Sequence, residues 1–244
     1  MNPALPWLPQ GTVYGTLLNF RREFALWTAR MHEPPYKAPP TQPVLYVKTA
    51  NTFAPQGAAV PVPGEVEVGA SVGLVRMTAA GAAQDQWAAV LLADLSLPHA
   101  SYYRPPIKFR NRDGFLVCGP TSRPLATLAE LAALRLDVRI NNEAVQTADL
   151  STLVRDAATL LADVQAFMTL QVGDMLMLGT DCLADGTRPR ARAGDRVDIS
   201  AAGFAPLVHT LVEEVSAAGP PQGAKAPSGG SADTSVRSVG GHIS

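Results

Sequence analysis

The densest group of potentially functional side chains is a run of cations. Arg104, Lys108, Arg110 and Arg112 fall within one short segment of a chain whose formal net charge is -1. If the segment is extended, Lys108, Arg110 and Arg112 share one face, because alternate strand residues point the same way. Guanidinium groups match carboxylates with paired donors, so this face suits a dicarboxylate. The alternative is an edge strand whose charges face solvent.

Carboxylates at two places suggest a divalent cation instead. Glu65 and Glu67 are two apart on a predicted strand. Oxygen ligands that face the same way can hold Mg²⁺, although an exposed strand face would look the same. Asp94 follows an apolar run, where a carboxylate forms a turn, caps a helix or acts as a ligand, and spacing alone favours the cap. The four histidines lack ligand spacing, and no phosphate-binding loop, dinucleotide fingerprint or nucleophile elbow is present.

Composition narrows the function classes. Lys and Arg number 20 and Asp and Glu 21, which argues against a nucleic-acid partner, since such proteins are usually basic. The apolar run from Trp87 to Ala93 is far shorter than the roughly 20 residues of a membrane span, so we expect no membrane association. Two cysteines are too few for a disulfide framework and indicate reduced thiols in the cytoplasm. Only 17% of residues are charged, which suggests that a subunit interface covers part of the surface.

Periodicity predicts the elements that would position these groups. Alternation with period two predicts strands at 65–76 and 134–140, and β-branched and aromatic residues predict another at 44–48. The apolar run at 87–93 suits a buried strand or a helix equally. A stripe with helical spacing predicts a helix over 151–168, capped by Asp149 or Ser151. Two further helices are expected at 20–31 and 127–134, and in the second Thr127 and Glu130 have capping-box spacing. Further strands are expected at 174–178, 195–200 and 206–213.

Proline, glycine and apolar content divide the chain into three parts. Residues 1–43 are proline-rich and are expected to wrap the core irregularly. Residues 44–216 are predicted to form one β-rich α+β domain. Residues 217–244 contain almost no large apolar side chains and are predicted to be a disordered tail, because they cannot bury enough surface to offset their ordering entropy.

Several segments resemble the fumarylacetoacetate hydrolase superfamily. They are residues 35–40 (Pro-Tyr-Lys-Ala-Pro-Pro), 45–48 (Leu-Tyr-Val-Lys), 93–96 (Ala-Asp-Leu-Ser, similar to the family's N-D-V-S) and 167–180, similar to its T-L-x-P-G-D-x-I-x-x-G-T. Their order and spacing agree over about residues 14 to 213. The resemblance implies the superfamily's mixed β-sandwich roll.

One branch of this superfamily fits best. Residues 103–108, 112–115 and 147–150 are similar to the bifunctional isomerase/decarboxylases of 4-hydroxyphenylacetate (homoprotocatechuate) degradation, and in particular to their N-terminal half. The resemblance implies decarboxylation of 5-oxopent-3-ene-1,2,5-tricarboxylate and isomerisation of 2-hydroxyhepta-2,4-diene-1,7-dioate. It also implies Mg²⁺ or Mn²⁺ and a homo- or hetero-oligomer with a homologous subunit. The alternatives are an inactive scaffold of this fold, or an acylpyruvate hydrolase or oxaloacetate decarboxylase.

The family's metal ligands are only partly matched. Its E-x-E positions fall on Gly69 and Ser71, which leaves Asp94 as the single expected metal ligand and makes Glu65 and Glu67 decoys. Glu23 occupies the position of a family histidine, and Arg110 that of a lysine which Lys108 would partly replace. The resemblance therefore assigns these three residues as catalytic. The residues expected to bind substrate are Lys48, Arg104, Asp113 and Thr180.

Overall fold

The computed structural model describes residues 6–78, 86–101 and 106–215. The first of its two units ends at Glu214, and of the second unit only Val215, which is exposed, lies in the described range. The predicted tail at 217–244 therefore lies outside the described residues. In chain order the strands are β1 (Val13–Leu17), β2 (Val44–Lys48), β3 (Phe53–Ala54), β4 (Ala59–Val62), β5 (Val66–Arg76), β6 (Trp87–Ser96), β7 (Leu116–Cys118), β8 (Arg123–Pro124), β9 (Arg135–Ile140), β10 (Glu143–Asp149), β11 (Met175–Met177), β12 (Arg190–Ala191), β13 (Arg196–Ser200) and β14 (Leu207–Glu213).

The strands form two sheets, with few helices around them. The larger sheet has the order β2-β1-β11-β5-β6-β7-β3, with β12 also paired to β5 and β8 to β6; the smaller has the order β10-β9-β13-β14-β4. Parallel pairs such as β1 with β11 and antiparallel pairs such as β5 with β6 occur in the same sheet. The α-helices are α1 (Arg21–Thr28), α2 (Ile107–Arg110) and α3 (Ala157–Gln165), and 3₁₀ turns cover Arg30–His32, Ala50–Thr52, Leu128–Ala133 and Leu150–Thr152. The predicted β-rich α+β class is confirmed.

The long β5–β6 pair separates the core from the face that carries the site. Pairing runs from Glu67 opposite Ser96 to Arg76 opposite Trp87. One face of the pair, including Val68 and Leu91, packs against apolar residues of the smaller sheet in the main core. Because strand side chains alternate, the other face carries Glu67, Gly69 and Ser71 of β5 together with Asp94 and Ser96 of β6. The ambiguous apolar run is a strand because both of its faces are buried.

Two expectations about local structure were wrong. The proline-rich segment was expected to wrap the core irregularly, but it also contains β1. This strand lies between β2 and β11 in the large sheet. The helix predicted over 151–168 begins only at Ala157, where the Asp156 side chain accepts a hydrogen bond from Thr159 N at 2.8 Å. The preceding chain is held by the hydrogen bond from Val154 N to Asn19 O, 2.7 Å long. That contact connects distant parts of the sequence, so local periodicity does not reveal it.

The predicted capping box is present. The Thr127 and Glu130 side chains satisfy each other's backbone N–H groups, but the element is a 3₁₀ turn, Leu128–Ala133, and not an α-helix.

Candidate functional site

Asp94 is the centre of a buried charge cluster. Its side chain lies on the face of β6 that points away from the main core, and it is shielded from solvent. Lys48 Nζ lies 2.9 Å from Asp94 Oδ1, and Arg110 Nη1 lies 2.8 Å from Oδ2. The Tyr46 hydroxyl also donates to Oδ2. Both carboxylate oxygens are therefore engaged by side chains of this chain.

Two separate elements, β2 and α2, bring the cations to Asp94. Strand β2 carries Tyr46 and Lys48 on one face, two residues apart. Lys48 also donates to the backbone oxygens of Arg110 and Phe115, the latter at 2.9 Å. Arg110 lies at the end of the short helix α2, and its guanidinium stacks over the Tyr46 ring at 4.8 Å from the ring centroid. Lys48 thus connects β2, α2 and the chain entering β7.

The electrostatics of this cluster favour an ionised carboxylate. Burial alone would raise the pKa of Asp94, but the Lys48 ammonium and the Arg110 guanidinium outweigh burial and hold that pKa below its usual range. Burial and the neighbouring Asp94 carboxylate raise the pKa of the Tyr46 phenol well above its usual value, so Tyr46 remains a neutral donor. Two cations and one anion give the cluster a formal charge of about +1.

The residues around Asp94 do not fit Mg²⁺ or Mn²⁺. A divalent cation would meet two positive side chains and would compete with them for both carboxylate oxygens. Gly69 has no ligand atom, and even a Cβ there would lie 2.6 Å from Thr180 Cγ2. The Ser71 hydroxyl donates to Gly179 O at 2.7 Å. Across residues 6–78, 86–101 and 106–215, no group of three His, Cys, Asp or Glu side chains is arranged to hold a metal.

A cavity of ≈ 380 Å³ opens on the same side of the β5–β6 pair. Glu67 and Arg188 lie in its wall, and Arg188 is buried. Arg188 donates to the Glu23 carboxylate and, through Nε, to Thr180 Oγ1 at 3.2 Å. The full lining consists of Leu26, Trp27, Arg30, Glu67, His99, Ala100, Asp185, Gly186, Thr187 and Arg188.

Known proteins share the sequence pattern of this chain over nearly its whole described length. The family model described as fumarylacetoacetate (FAA) hydrolase C-terminal matches residues 12–212. The chain belongs to the fumarylacetoacetate hydrolase family. It is 35% identical over 213 residues to the 4-hydroxyphenylacetate degradation bifunctional isomerase/decarboxylase of Escherichia coli, across 84% of this chain and 48% of that protein. It therefore spans about half the length of the curated relatives it matches.

Solved structures of the fumarylacetoacetate hydrolase fold agree. The chain superimposes on a 5-carboxymethyl-2-hydroxymuconate delta-isomerase from Mycobacterium smegmatis with a TM-score of 0.63 and 20% identity, covering 85% of this chain and 80% of the other. It superimposes on maleylpyruvate hydrolase from Sphingobium sp. SYK-6 with a TM-score of 0.64 and 19% identity, covering 86% and 72%. Two different reactions on one fold show that the fold does not fix the chemistry. No helix in the described part of the chain is long and apolar enough to cross a membrane.

The residues assigned by family resemblance separate into three groups. Lys48, Asp94 and Arg110 meet in the buried cluster, and Glu23 and Thr180 meet at Arg188. The remaining three residues belong to neither group. Lys108 and Asp113 are exposed, Asp113 accepting from Asn51 Nδ2 at 2.7 Å, and Arg104 lies outside the described residues.

The expectation that Lys108, Arg110 and Arg112 share an extended face was wrong. Residues 107–110 form helix α2, in which the N–H of Arg110 donates to Pro106 O at 2.9 Å. The helical turn buries Arg110 and leaves Lys108 exposed. Arg112 instead pairs with Glu214 at 2.6 Å.

Sequence reasoning missed four residues that the structure places in the charge cluster or in the cavity wall. Tyr46 belongs to the family-like segment 45–48, but the resemblance assigns it no role. Arg188 and His99 belong to no recognised motif. Glu67 was treated as a decoy together with Glu65. Glu65 pairs with Arg190 at 2.7 Å and is half exposed, whereas Glu67 lines the cavity. What separates them is the start of β5 at Val66: Glu67 lies in the strand opposite Ser96 of β6, whereas Glu65 lies before it.

Proposed function

We propose that this chain is a subunit of an isomerase/decarboxylase of 4-hydroxyphenylacetate catabolism. Its substrates are 5-oxopent-3-ene-1,2,5-tricarboxylate and 2-hydroxyhepta-2,4-diene-1,7-dioate. The proposal is supported by 35% identity to a bifunctional isomerase/decarboxylase across 84% of this chain. We also propose that it acts in the cytoplasm, where the two free, buried cysteines remain reduced.

The Lys48–Asp94–Arg110 cluster indicates how the chemistry is divided between this chain and a partner subunit. Loss of CO2 beside a carbonyl leaves an enolate, whose oxyanion needs a positive partner. A divalent cation chelated by a 2-oxo acid supplies this Lewis acid in many decarboxylations. Because Asp94 is neutralised internally, we propose that a homologous partner subunit with intact carboxylate ligands holds Mg²⁺ or Mn²⁺ and performs decarboxylation.

A reconstitution assay tests this division of labour. The full chain is mixed with a homologous subunit that contains the E-x-E and Asp ligands, and turnover of the tricarboxylate is followed with and without Mg²⁺. We expect a stable complex, Mg²⁺-dependent decarboxylation by the mixture and none by this chain alone. Failure of the two chains to associate, together with no turnover, would refute the proposal.

The same cluster also supports a second candidate, a scaffold subunit without catalysis. It predicts that the complex catalyses both decarboxylation and isomerisation as well as before when the cavity of this chain is blocked. Titration of the isolated chain with Mn²⁺ plus oxalate examines the shared premise: both candidates expect no binding, and micromolar affinity would contradict both.

A further inference from the structure

The cavity on the site side of the β5–β6 pair is lined by both a carboxyl and an imidazole, those of Glu67 and His99. Glu67 lies on β5 opposite Ser96 of β6, and His99 follows Ser96 by three residues. Glu67 therefore reaches the cavity from the start of β5, and His99 reaches it from the chain that leaves β6. Its volume of ≈ 380 Å³ falls within the range of about 300–1,000 Å³ typical of small-molecule sites.

The surroundings of Glu67 and His99 shift the pKa values of the two groups toward each other. Burial raises the pKa of the Glu67 carboxyl, although Arg188, Arg110 and Arg190 partly oppose this and Glu23 reinforces it. Burial lowers the pKa of the His99 imidazole, and Arg110 lowers it further. A raised carboxyl pKa and a lowered imidazole pKa lie closer together than the usual values of these groups, which lowers the cost of passing a proton between them.

Cations in the same wall suit a ligand with carboxylate groups. Arg30 is exposed and stacks its guanidinium 5.2 Å from the centroid of the Trp27 ring. Arg188 is held in place by Glu23 and Thr180. Two arginines in one cavity wall match an elongated dicarboxylate, one end at each guanidinium.

We propose that this cavity is a metal-independent isomerase site for a 2-hydroxy-2,4-dienoate dicarboxylate, with Glu67 as acid and His99 as base. This rests on the proposed function, because the dienol is one of its two substrates. The metal-dependent decarboxylation then belongs to the partner subunit and the proton transfer to this chain.

The reaction needs no co-reactant. Neutral His99 takes the proton of the C2 hydroxyl, so the O–H bond breaks and C2=O forms. The C2=C3 electron pair moves to make C3=C4, and the former C4=C5 pair takes the Glu67 proton at C5. The product is the 2-oxo-3-ene dicarboxylate. Transfer of a proton from the imidazolium to the Glu67 carboxylate restores both groups.

The test uses the full chain purified in EDTA and supplied with 2-hydroxyhepta-2,4-diene-1,7-dioate. Loss of the ultraviolet absorbance of the dienol is followed against a protein-free control. We expect turnover above the buffer rate, and a loss of about 10²–10⁴-fold in kcat for Glu67→Gln, the range typical of a removed general acid. The matched control is Glu65→Gln, which changes an exposed carboxylate two residues away and should keep the full rate.

Circular dichroism and thermal melting establish that each variant folds. Arg30→Gln at an exposed position provides a second test and should raise KM for the dienol while leaving kcat within about twofold, because binding and not chemistry is altered. Absence of EDTA-resistant isomerisation by the wild type, or an equal rate for Glu67→Gln, would overturn the inference. If the complex with the partner decarboxylates the tricarboxylate while this chain alone leaves the dienol unchanged, the inference fails and the proposed function stands.

Discussion

Replacing Lys48 with methionine should be the most damaging single change in the Asp94 cluster. The substitution keeps the length of the side chain but removes an ammonium group 2.9 Å from Asp94 Oδ1. It also removes the donor to the backbone oxygens of Arg110 and Phe115. Breaking a buried ion pair costs about 3–5 kcal/mol, because the remaining charge stays buried without its partner. Asp94 retains Arg110 and Tyr46, so we expect the lower half of that range.

Burial, and not distance, determines this cost. Arg112 and Glu214 form a shorter ion pair, 2.6 Å, but their side chains are 29% and 40% exposed. Water screens such a pair, and its loss costs about 0–1 kcal/mol. Arg112→Met is therefore the matched control for Lys48→Met.

Urea unfolding of the two variants measures both losses of stability. The double variant Lys48→Met/Asp94→Asn should lose more stability than Lys48→Met alone, because it leaves the buried Arg110 guanidinium without its carboxylate partner. If Lys48→Met lowers the free energy of unfolding by no more than Arg112→Met does, the reasoning about the buried cluster is wrong.

Three further predictions concern stability. Burial lowers the pKa of His209 to about 4. As the pH is lowered from 6.5 to 4, the unfolded chain therefore binds a proton that the native chain excludes. The free energy of unfolding decreases by about 3 kcal/mol in total over this range. His209→Leu should flatten that part of the profile, as measured by urea unfolding at pH 7.5 and 4.5; an unchanged slope would contradict it. Gly69→Ala should cost about 1–3 kcal/mol through overpacking against Thr180, and Thr180→Ser, by removing Cγ2, should recover part of the loss in thermal melts. Asp156→Ala should cost about 1 kcal/mol by removing the cap of α3, and a difference within error between the two unfolding curves would refute it.

Local patterns predicted much of the scaffold. Alternation identified β5 and β9, and both strands are present within a residue of their predicted limits. Short strands such as β3 and β12 could not be predicted, since two residues carry no detectable period. The late start of α3 could not be predicted either, because the residues before it are held by a backbone hydrogen bond to Asn19 O.

The sequence by itself determined the family, the alternation that predicts β5, and the absence of carboxylates at positions 69 and 71. Only the tertiary structure decided what surrounds Asp94. Lys48 and Arg110 reach it from β2 and α2, and Arg188 reaches Glu23 across 165 positions of the chain. Spacing specifies which side of a strand a residue occupies, but the order of strands in a sheet and the turn of a short helix determine which charges meet. The same carboxylate that could have held a metal is for this reason bound by the chain's own cations.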